Sequence, residues 1–354
     1  MAEKLLMKGN EVIAEAAVRA GCRHYFGYPI TPQTEIAHYM AKRMPEVGGV
    51  FLQAESEVAA INMVYGAAGA GARVLTSSSS PGISLKQEGI SYIAGAELPC
   101  VIVNIVRCGP GLGGILPAQC DYFQAVKGGG HGDYKMVVLA PCSVQELYEL
   151  TVESFNIADR YRMPVMIMGD GILGQMMEVV EFKDKENIEH YEKCWATTGT
   201  NMERPHNTIQ SIYINPEVLE KHNQKLQQKY RIIEEREVRY ECYNCDDADI
   251  IVAAFGTVSR IVKNVIELAK KEGIRVGLIR PITLWPFPVE VFYKYADTAK
   301  AFLTVELNAG QMVEDVKLAV NGKKPVFFHG RMGGMIPSQK EILDRIIEIN
   351  NKTI

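Results

Sequence analysis

The sequence predicts an α/β protein of two parallel-sheet domains, the first of them doubly wound. Three observations carry this reading. From Glu3 to about Glu181, short Val- and Ile-rich runs alternate with segments of helical periodicity, and buried strands alternating with helices imply a parallel sheet covered on both faces. A second alternation of the same kind begins at Asp249. The length of 354 residues suits about two domains of roughly 150 residues each.

In the first domain, strands are expected at Gly49–Gln53, Arg73–Ser77, Cys100–Val106, Met136–Ala140 and Pro164–Met168. Helices are expected at Thr34–Arg43, Ser56–Gly71, Ile83–Ala94 and Ser143–Arg160, where apolar residues recur at helical spacing. Thr31-Pro32 reads as an N-cap followed by proline at the first helical position. Ser143 and Glu146 have the spacing of a capping box. Residues 183–241 change character, with roughly a third of them charged. Within this stretch 187–215 keep no period, and Pro216–Tyr240 reads as a long polar helix. The stretch is either a flexible linker or a surface that packs on a partner.

The second domain follows with strands at Asp249–Phe255, Arg275–Ile279, Ala301–Val305 and Pro325–His329. Its helices are expected at Val258–Glu272, Val289–Tyr295, Met312–Val320 and Ser338–Ile349. The connection rule makes these strands parallel as well. The expected units are 1–182, a connector over 183–244, and 245–354.

Composition narrows the function. Lys and Arg number 38 against 42 Asp and Glu, a net charge of -4, which argues against a nucleic-acid binder with a basic face. No apolar run of about 18 residues is present, the length a membrane-spanning helix needs. Residues 1–21 are too polar for a signal peptide, so a soluble cytoplasmic protein is expected. Eight cysteines in a chain this long do not make a disulfide scaffold. Cys242 and Cys245 form one Cys-x-x-Cys, half the ligand set of a zinc or iron–sulfur site, with no second pair. No metal is therefore expected on this chain.

Gly109-Pro-Gly111-Leu-Gly-Gly114 fits the dinucleotide fingerprint and raises a nicotinamide-dependent dehydrogenase as an alternative. That fold needs a helix opening at the glycines, whereas Pro117 follows and the next helical pattern starts near Cys120. A loop beside a pocket is the favoured reading. Gly169-Asp-Gly171 resembles a Mg²⁺–diphosphate turn but lacks a suitably spaced asparagine, and reads as a tight turn closing its strand. Gly330–Gly334 reads as a loop turn or as an anion cradle.

Three loops are more informative. Tyr28–Pro32 is a turn stiffened by two prolines, with the Thr31 hydroxyl on offer. Glu57 opens a helix and is followed by Val58, Ala59, Ala60 and Ile61. Such neighbours would desolvate it and raise its pKa, fitting it for proton exchange near neutral pH. The helix N-terminus favours the ionised form instead, so Glu57 also reads as a helix-stabilising acid. Arg107, at a strand end, either binds an anion in the crevice of the parallel sheet or pairs with a carboxylate.

These residues lie in segments that resemble the α-type subunit of the 2-oxoacid:ferredoxin oxidoreductases, enzymes that use thiamine diphosphate. The segments are YPITPQTEIAHYM (28–40), LQAESEVAAINMVYGAA (52–68), TSSSSPGISLKQEGISYIAGAELPCVIVNIVR (76–107) and PAQCDYFQAVKGGGHGDY (117–134). AAFGTVSRIV (253–262) and LIRPITLWPFP (278–288) extend the resemblance into the second domain. It covers nearly the whole chain, is weakest over 183–241, and is greatest to the branched-chain branch acting on 3-methyl-2-oxobutanoate (2-ketoisovalerate).

The resemblance implies a pyrimidine-type thiamine diphosphate-binding domain followed by a smaller transketolase C-terminal-like α/β domain. Glu57 matches the glutamate that contacts the cofactor's N1′ and exchanges a proton with its aminopyrimidine. Thr31 and Arg107 match positions that bind the substrate carboxylate, and Pro29 and Ile30 fall in the cofactor-binding turn. A separate β-type subunit would hold the diphosphate and Mg²⁺, and a ferredoxin-like subunit the 4Fe–4S clusters. With a γ-type subunit, the assembly would oxidatively decarboxylate a branched-chain 2-oxoacid, pass the acyl group to coenzyme A, and send electrons to ferredoxin. This chain alone would be inactive. The same chemistry on 2-oxoglutarate or pyruvate, and a non-catalytic scaffold role, stand as alternatives.

Overall fold

The structure is a computed structural model that describes residues 3–183 and 185–353. The chain opens with β1 (Glu3–Lys8), α1 (Gly9–Arg19), β2 (His24–Gly27), α2 (Thr34–Glu46), β3 (Val50–Gln53), α3 (Glu57–Gly69) and β4 (Val74–Ser78). It continues through α4 (Ser80–Gly95), β5 (Cys100–Val106), α5 (Tyr122–Val126), β6 (Val137–Leu139), α6 (Val144–Tyr161), β7 (Pro164–Asp170), α7 (Gly171–Gln175) and β8 (Met177–Phe182). Then come α8 (Pro216–Arg236), β9 (Tyr240–Tyr243), β10 (Ile250–Ala253), α9 (Gly256–Lys271), β11 (Val276–Pro281) and β12 (Thr283–Trp285). Last are α10 (Val289–Tyr295), β13 (Ala301–Glu306), α11 (Met312–Val320), β14 (Val326–Gly330) and α12 (Gln339–Thr353).

The larger sheet has the order β12-β6-β7-β5-β4-β2-β3. Its strands are parallel except β12, an antiparallel edge on β6. Strands β4, β5 and β7 are buried along their whole length, as expected of a sheet covered on both faces. After β2 the chain adds β3 on one side and then β4 on the other. That reversal opens a crevice at the carboxyl ends of the strands, where ligands of such sheets bind. In the smaller sheet, β14-β13-β10-β11-β9, the four expected strands are parallel, and an additional strand, β9, runs antiparallel to β11. A separate antiparallel pair joins β1 to β8. No helix among the described residues is long and apolar enough to cross a membrane.

Two expected turns differ. Helix α2 starts at Thr34, with Gln33 before it, so Thr31 and Pro32 belong to the preceding turn and cap nothing. Strand β7 runs on through Asp170, whose carboxylate accepts from Ile172 N at 2.9 Å and Leu173 N at 3.1 Å. Residues 169–171 thus cap a short helix instead of making a tight turn. Ser143 does cap α6, accepting from Glu146 N at 3.1 Å. The Glu146 carboxylate bonds Cys142 N and Arg280, so only half of the capping box forms.

Polar bridges lock the two sheets together. Buried Asp170 also accepts from Thr257 Oγ1 of α9. Gln119 donates to Phe255 O (2.9 Å) and exchanges two hydrogen bonds with the Leu307 backbone, each 3.0 Å.

Residues 185–239 strap the chain's own first sheet. Arg73 donates to Glu189 O at 2.7 Å, Asn156 to Asn187 O at 2.7 Å, and Thr197 N to Gly69 O at 3.0 Å. Helix α8 is clamped by Lys225 and Lys229, both on Glu97. Burial opposes ionisation of Glu97, but the two ammonium groups outweigh it and bring its pKa to about 2, from an ordinary 4.5. A depressed folded-state pKa stabilises the fold above pH 4.5 and loses that contribution as pH falls toward 2. Glu97→Gln is therefore expected to cost about 1 kcal/mol at pH 7 after solvent screening. Thermal unfolding should show the gap to wild type closing in acid; an equal gap at all pH values would contradict the clamp.

Candidate active site

Four strand ends meet at the β2/β4 reversal. The Tyr28–Gln33 turn follows β2, Glu57 follows β3, Ser78 ends β4 with Ser79–Gly82 after it, and Arg107 follows β5. Buried polar bonds moor the turn. Gln33 N donates to Ile30 O at 3.2 Å, and Gln33 Oε1 accepts from Ser77 Oγ at 2.5 Å. Ser77 Oγ also meets the Tyr25 hydroxyl at 2.7 Å. The backbone that carries Pro29, Ile30 and Thr31 is thereby tied to the core of the sheet.

Glu57 is the first residue of α3, capped by Ser56, whose Oγ accepts from Ala59 N at 3.1 Å. The residue is 6% exposed. Its own helix is not what buries it, since Val58 is 44% exposed. Helix α4 does so. A Cβ added to Gly82 would lie 2.6 Å from Glu57 Oε1 and 2.1 Å from Ser78 Oγ, so the carboxylate rests in a cradle that only a missing side chain leaves open. One face further along, a Cβ on Gly89 would fall 2.5 Å from Ile61 Cγ2. Two glycines let α3 and α4 nearly touch.

Arg107 is 7% exposed. Its Nη1 donates to Thr31 O at 3.0 Å and its Nη2 to Leu112 O at 3.1 Å, while buried Nε has no partner among the described residues. Among the described residues it joins no ion pair, which removes the carboxylate-partner reading. A buried guanidinium without a counter-charge is costly and presents donors suited to an anion. The structure thus brings Arg107 against Thr31. No hydrogen bond among the described residues joins Glu57 to this pair; the segment Ser78–Gly82 links them, because Ser80 Oγ accepts from Arg107 N at 3.1 Å. Beside it lies a cleft of about 720 Å³ between the two sheets' loops, lined by Ser80, Cys108, Asp121, Asn308, Gln311 and Met332. That volume suits a small ligand.

Several groups here escape a reading of the sequence. Among the described residues, the buried hydroxyls of Ser78 and Ser79 have no partner; a run of serines ending a strand is the signal that could have found them. Lys86 is 0% exposed, its amine donating to Thr76 Oγ1 at 2.6 Å and Ser77 O at 3.1 Å. Burial pulls its pKa down to about 7, with Glu57 acting the other way.

The remaining motifs are quieter. No helix opens at Gly109–Gly114, where Gly111 and Gly113 hold φ of 68° and 58°; the next helix starts at Tyr122. A pyrophosphate would find no helix N-terminus there. Cys245 Sγ donates to Leu278 O at 3.1 Å, and burial pushes its pKa up to about 12. Among the described residues no three His, Cys, Asp or Glu side chains are placed to hold a metal ion.

A doubly wound sheet with candidate binding groups at its reversal, bridged to a second α/β unit, is the architecture of a ligand-binding α/β protein. The pyruvate flavodoxin/ferredoxin oxidoreductase thiamine diphosphate-binding domain matches residues 15–241, and core domain II of pyruvate:ferredoxin oxidoreductase matches 248–342. The chain is 52% identical to ketoisovalerate oxidoreductase subunit VorB of Methanothermobacter thermautotrophicus, over 97% of each. It is 36% identical to 2-oxoglutarate synthase subunit KorA of Methanothermobacter marburgensis, over 98% of this chain and 99% of the relative. The chain belongs to the 2-oxoacid:ferredoxin oxidoreductase family, as an oxidoreductase subunit.

Two solved structures share the fold. The 2-oxoglutarate:ferredoxin oxidoreductase of Magnetococcus marinus, with 2-oxoglutarate, coenzyme A and succinyl-CoA bound, superposes with a TM-score of 0.85 at 25% identity. It matches 98% of this chain, which spans 65% of the Magnetococcus chain. A split-gene transketolase, described as an inactive β4 tetramer, gives a TM-score of 0.60 at 13% identity, over 98% of this chain and 99% of its own, and shows the fold alone.

Proposed function

We propose that this chain supplies one half of a thiamine diphosphate site in an enzyme that oxidatively decarboxylates 3-methyl-2-oxobutanoate to its acyl-CoA, with ferredoxin as electron acceptor. The observation that carries the chemistry is that a buried Glu57 against Gly82 and a buried Arg107, in no ion pair among the described residues, both follow strands at the carboxyl end of the larger sheet. The 52% identity to a ketoisovalerate oxidoreductase subunit, against 36% to a 2-oxoglutarate synthase subunit, supports the branched-chain substrate.

The residues fit both ligands. Gly82 lets α4 approach the Glu57 carboxylate without a side chain between them, and among the described residues the hydroxyls of Ser78 and Ser79 and Arg107 Nε have no partner. When bound, thiamine diphosphate supplies an electron sink for the carbanion left by decarboxylation. Glu57 would hold and move a proton at its carboxylate, exchanging it with the cofactor's aminopyrimidine. Arg107 and Thr31 hold the substrate carboxylate, and Pro29 and Ile30 present the turn to the cofactor ring. The units 1–182 and 245–354 serve as pyrimidine-binding and transketolase C-terminal-like domains, with 183–244 as connector. A β-type subunit carries the diphosphate and Mg²⁺, a ferredoxin-like subunit the 4Fe–4S clusters, and a γ-type subunit completes the assembly.

Reconstitution tests this. The isolated chain should show no turnover, and adding the partner subunits, thiamine diphosphate and Mg²⁺ should restore it. One methylene in an apolar pocket is worth about 1–3 kcal/mol, so 3-methyl-2-oxobutanoate should be used about 10-fold or more faster, per unit kcat/KM, than pyruvate or 2-oxoglutarate. A clear preference for either of those would refute the substrate.

A further inference from the structure

We propose that Lys86 is a positioning residue for Glu57: its buried amine supplies a positive charge on the face of α4 that packs against the Glu57 carboxyl. This rests on the reading of Glu57 as the proton-exchanging group.

Helix α4 carries Gly82, Lys86 and Gly89 at spacings of four and three, which places them on one face. Gly82 lies against the Glu57 carboxylate, and Gly89 lies against Ile61 one turn further along α3. Lys86 is therefore held between the two points where the helices nearly touch. It is fully buried, with Thr76 Oγ1 and Ser77 O as its acceptors and no carboxylate in an ion pair with it among the described residues. In such an interior a unit charge acts over several ångströms with little screening.

The groups facing Lys86 come from four elements. Glu57 stands on α3, Thr76 and Ser77 on β4, Cys100 on β5, and Tyr25 on β2 is reached through Ser77. Burial pushes Cys100 and Tyr25 up to about 12 each, so both are neutral near pH 7. Glu57 is the carboxyl on these elements that favours the Lys86 cation, while burial brings the Lys86 amine to about 7.

The test reads Lys86 directly, by NMR of the full chain labelled at the lysine side-chain nitrogen and adjoining carbon. One lysine signal should titrate near pH 7 and vanish in Lys86→Met. In Glu57→Gln its midpoint should fall by about one pH unit, because the carboxylate that favours the cation is gone. Should Lys86→Met fail to fold, Lys86→Gln serves, and the Glu57→Gln displacement decides. Absence of any lysine titrating below about pH 9, or a midpoint unmoved by Glu57→Gln, overturns the proposal.

In the reconstituted enzyme, the inflection near pH 7 should disappear from the kcat/KM profile of Lys86→Met. Lys86→Arg, always charged, should hold the wild-type level of the acid side. Glu57→Gln separates the two ideas. If it abolishes turnover while Lys86→Met keeps the wild-type profile, the Lys86 role alone falls. If Glu57→Gln turns over normally, the Glu57 role falls with it.

Discussion

Glu57→Gln is expected to lower kcat of the reconstituted enzyme by about 10²–10⁴-fold, the range that positioned proton transfer contributes. The substitution keeps size and shape, and an amide still accepts at its carbonyl oxygen, but it neither takes nor gives a proton. Stability should change little. No hydrogen bond to the Glu57 carboxylate is present among the described residues, and α3 keeps its Ser56 cap. Melting temperature and subunit assembly should therefore stay near wild type while turnover collapses. A variant that turns over within about 3-fold of wild type would remove Glu57 from the proton-transfer step.

Gly82→Ala should be nearly as damaging, for a reason opposite to its usual effect. In an exposed helix interior, alanine in place of glycine stabilises by roughly 1 kcal/mol. Here the new methyl would stand 2.1 Å from Ser78 Oγ and 2.6 Å from Glu57 Oε1. Ser78 sits at the end of a buried strand, so its hydroxyl must rotate and the Glu57 side chain swing away, or α4 must shift. A misplacement of about 1 Å at a reacting group can cost about 10²-fold, and overpacking costs about 1–3 kcal/mol in stability. Gly66 of α3 is the control, since a Cβ there meets nothing within 4 Å, and Gly66→Ala should be neutral or mildly stabilising. If the two variants behave alike in turnover and thermal unfolding, the cradle is not what holds Glu57.

Much of the fold was legible because its central strands are buried on both faces. Runs such as Cys100–Val106 and Pro164–Met168 advertise themselves as continuous apolar stretches, and the structure places strands there. Helices Val289–Tyr295 and Met312–Val320 coincide with the periodic segments. Helix α1 gave no such signal: it is buried on nearly every side, so it lacks an apolar stripe to contrast with a polar face. Strands β9 and β12 span four and three residues, too few for a pattern, and take their places from their pairing partners.

The site divides in the same way. Thr31 and Arg107 stood out through local features, a proline-flanked turn and a strand end, and the structure sets them in contact. Lys86 stayed hidden because lysine is almost never fully buried, and its burial depends on how closely α3 approaches α4. That distance is set by Gly82 and Gly89 against residues far away in sequence. Glycine spacing on a helix is a signal of close packing, yet it says nothing of which neighbour arrives.

The antiparallel edge strand β12 has a practical consequence for dissecting the molecule. Thr283–Trp285 leave the smaller sheet's β11 and cross back to pair with β6 of the larger one. A fragment ending before residue 245 would keep β6 but lose its outer neighbour. Val137–Leu139 would then present bare backbone donors and acceptors at an apolar edge, a template for self-association. The two halves are interlaced and not modular, so truncation or shuffling between relatives must carry residues 283–285 along with the first half.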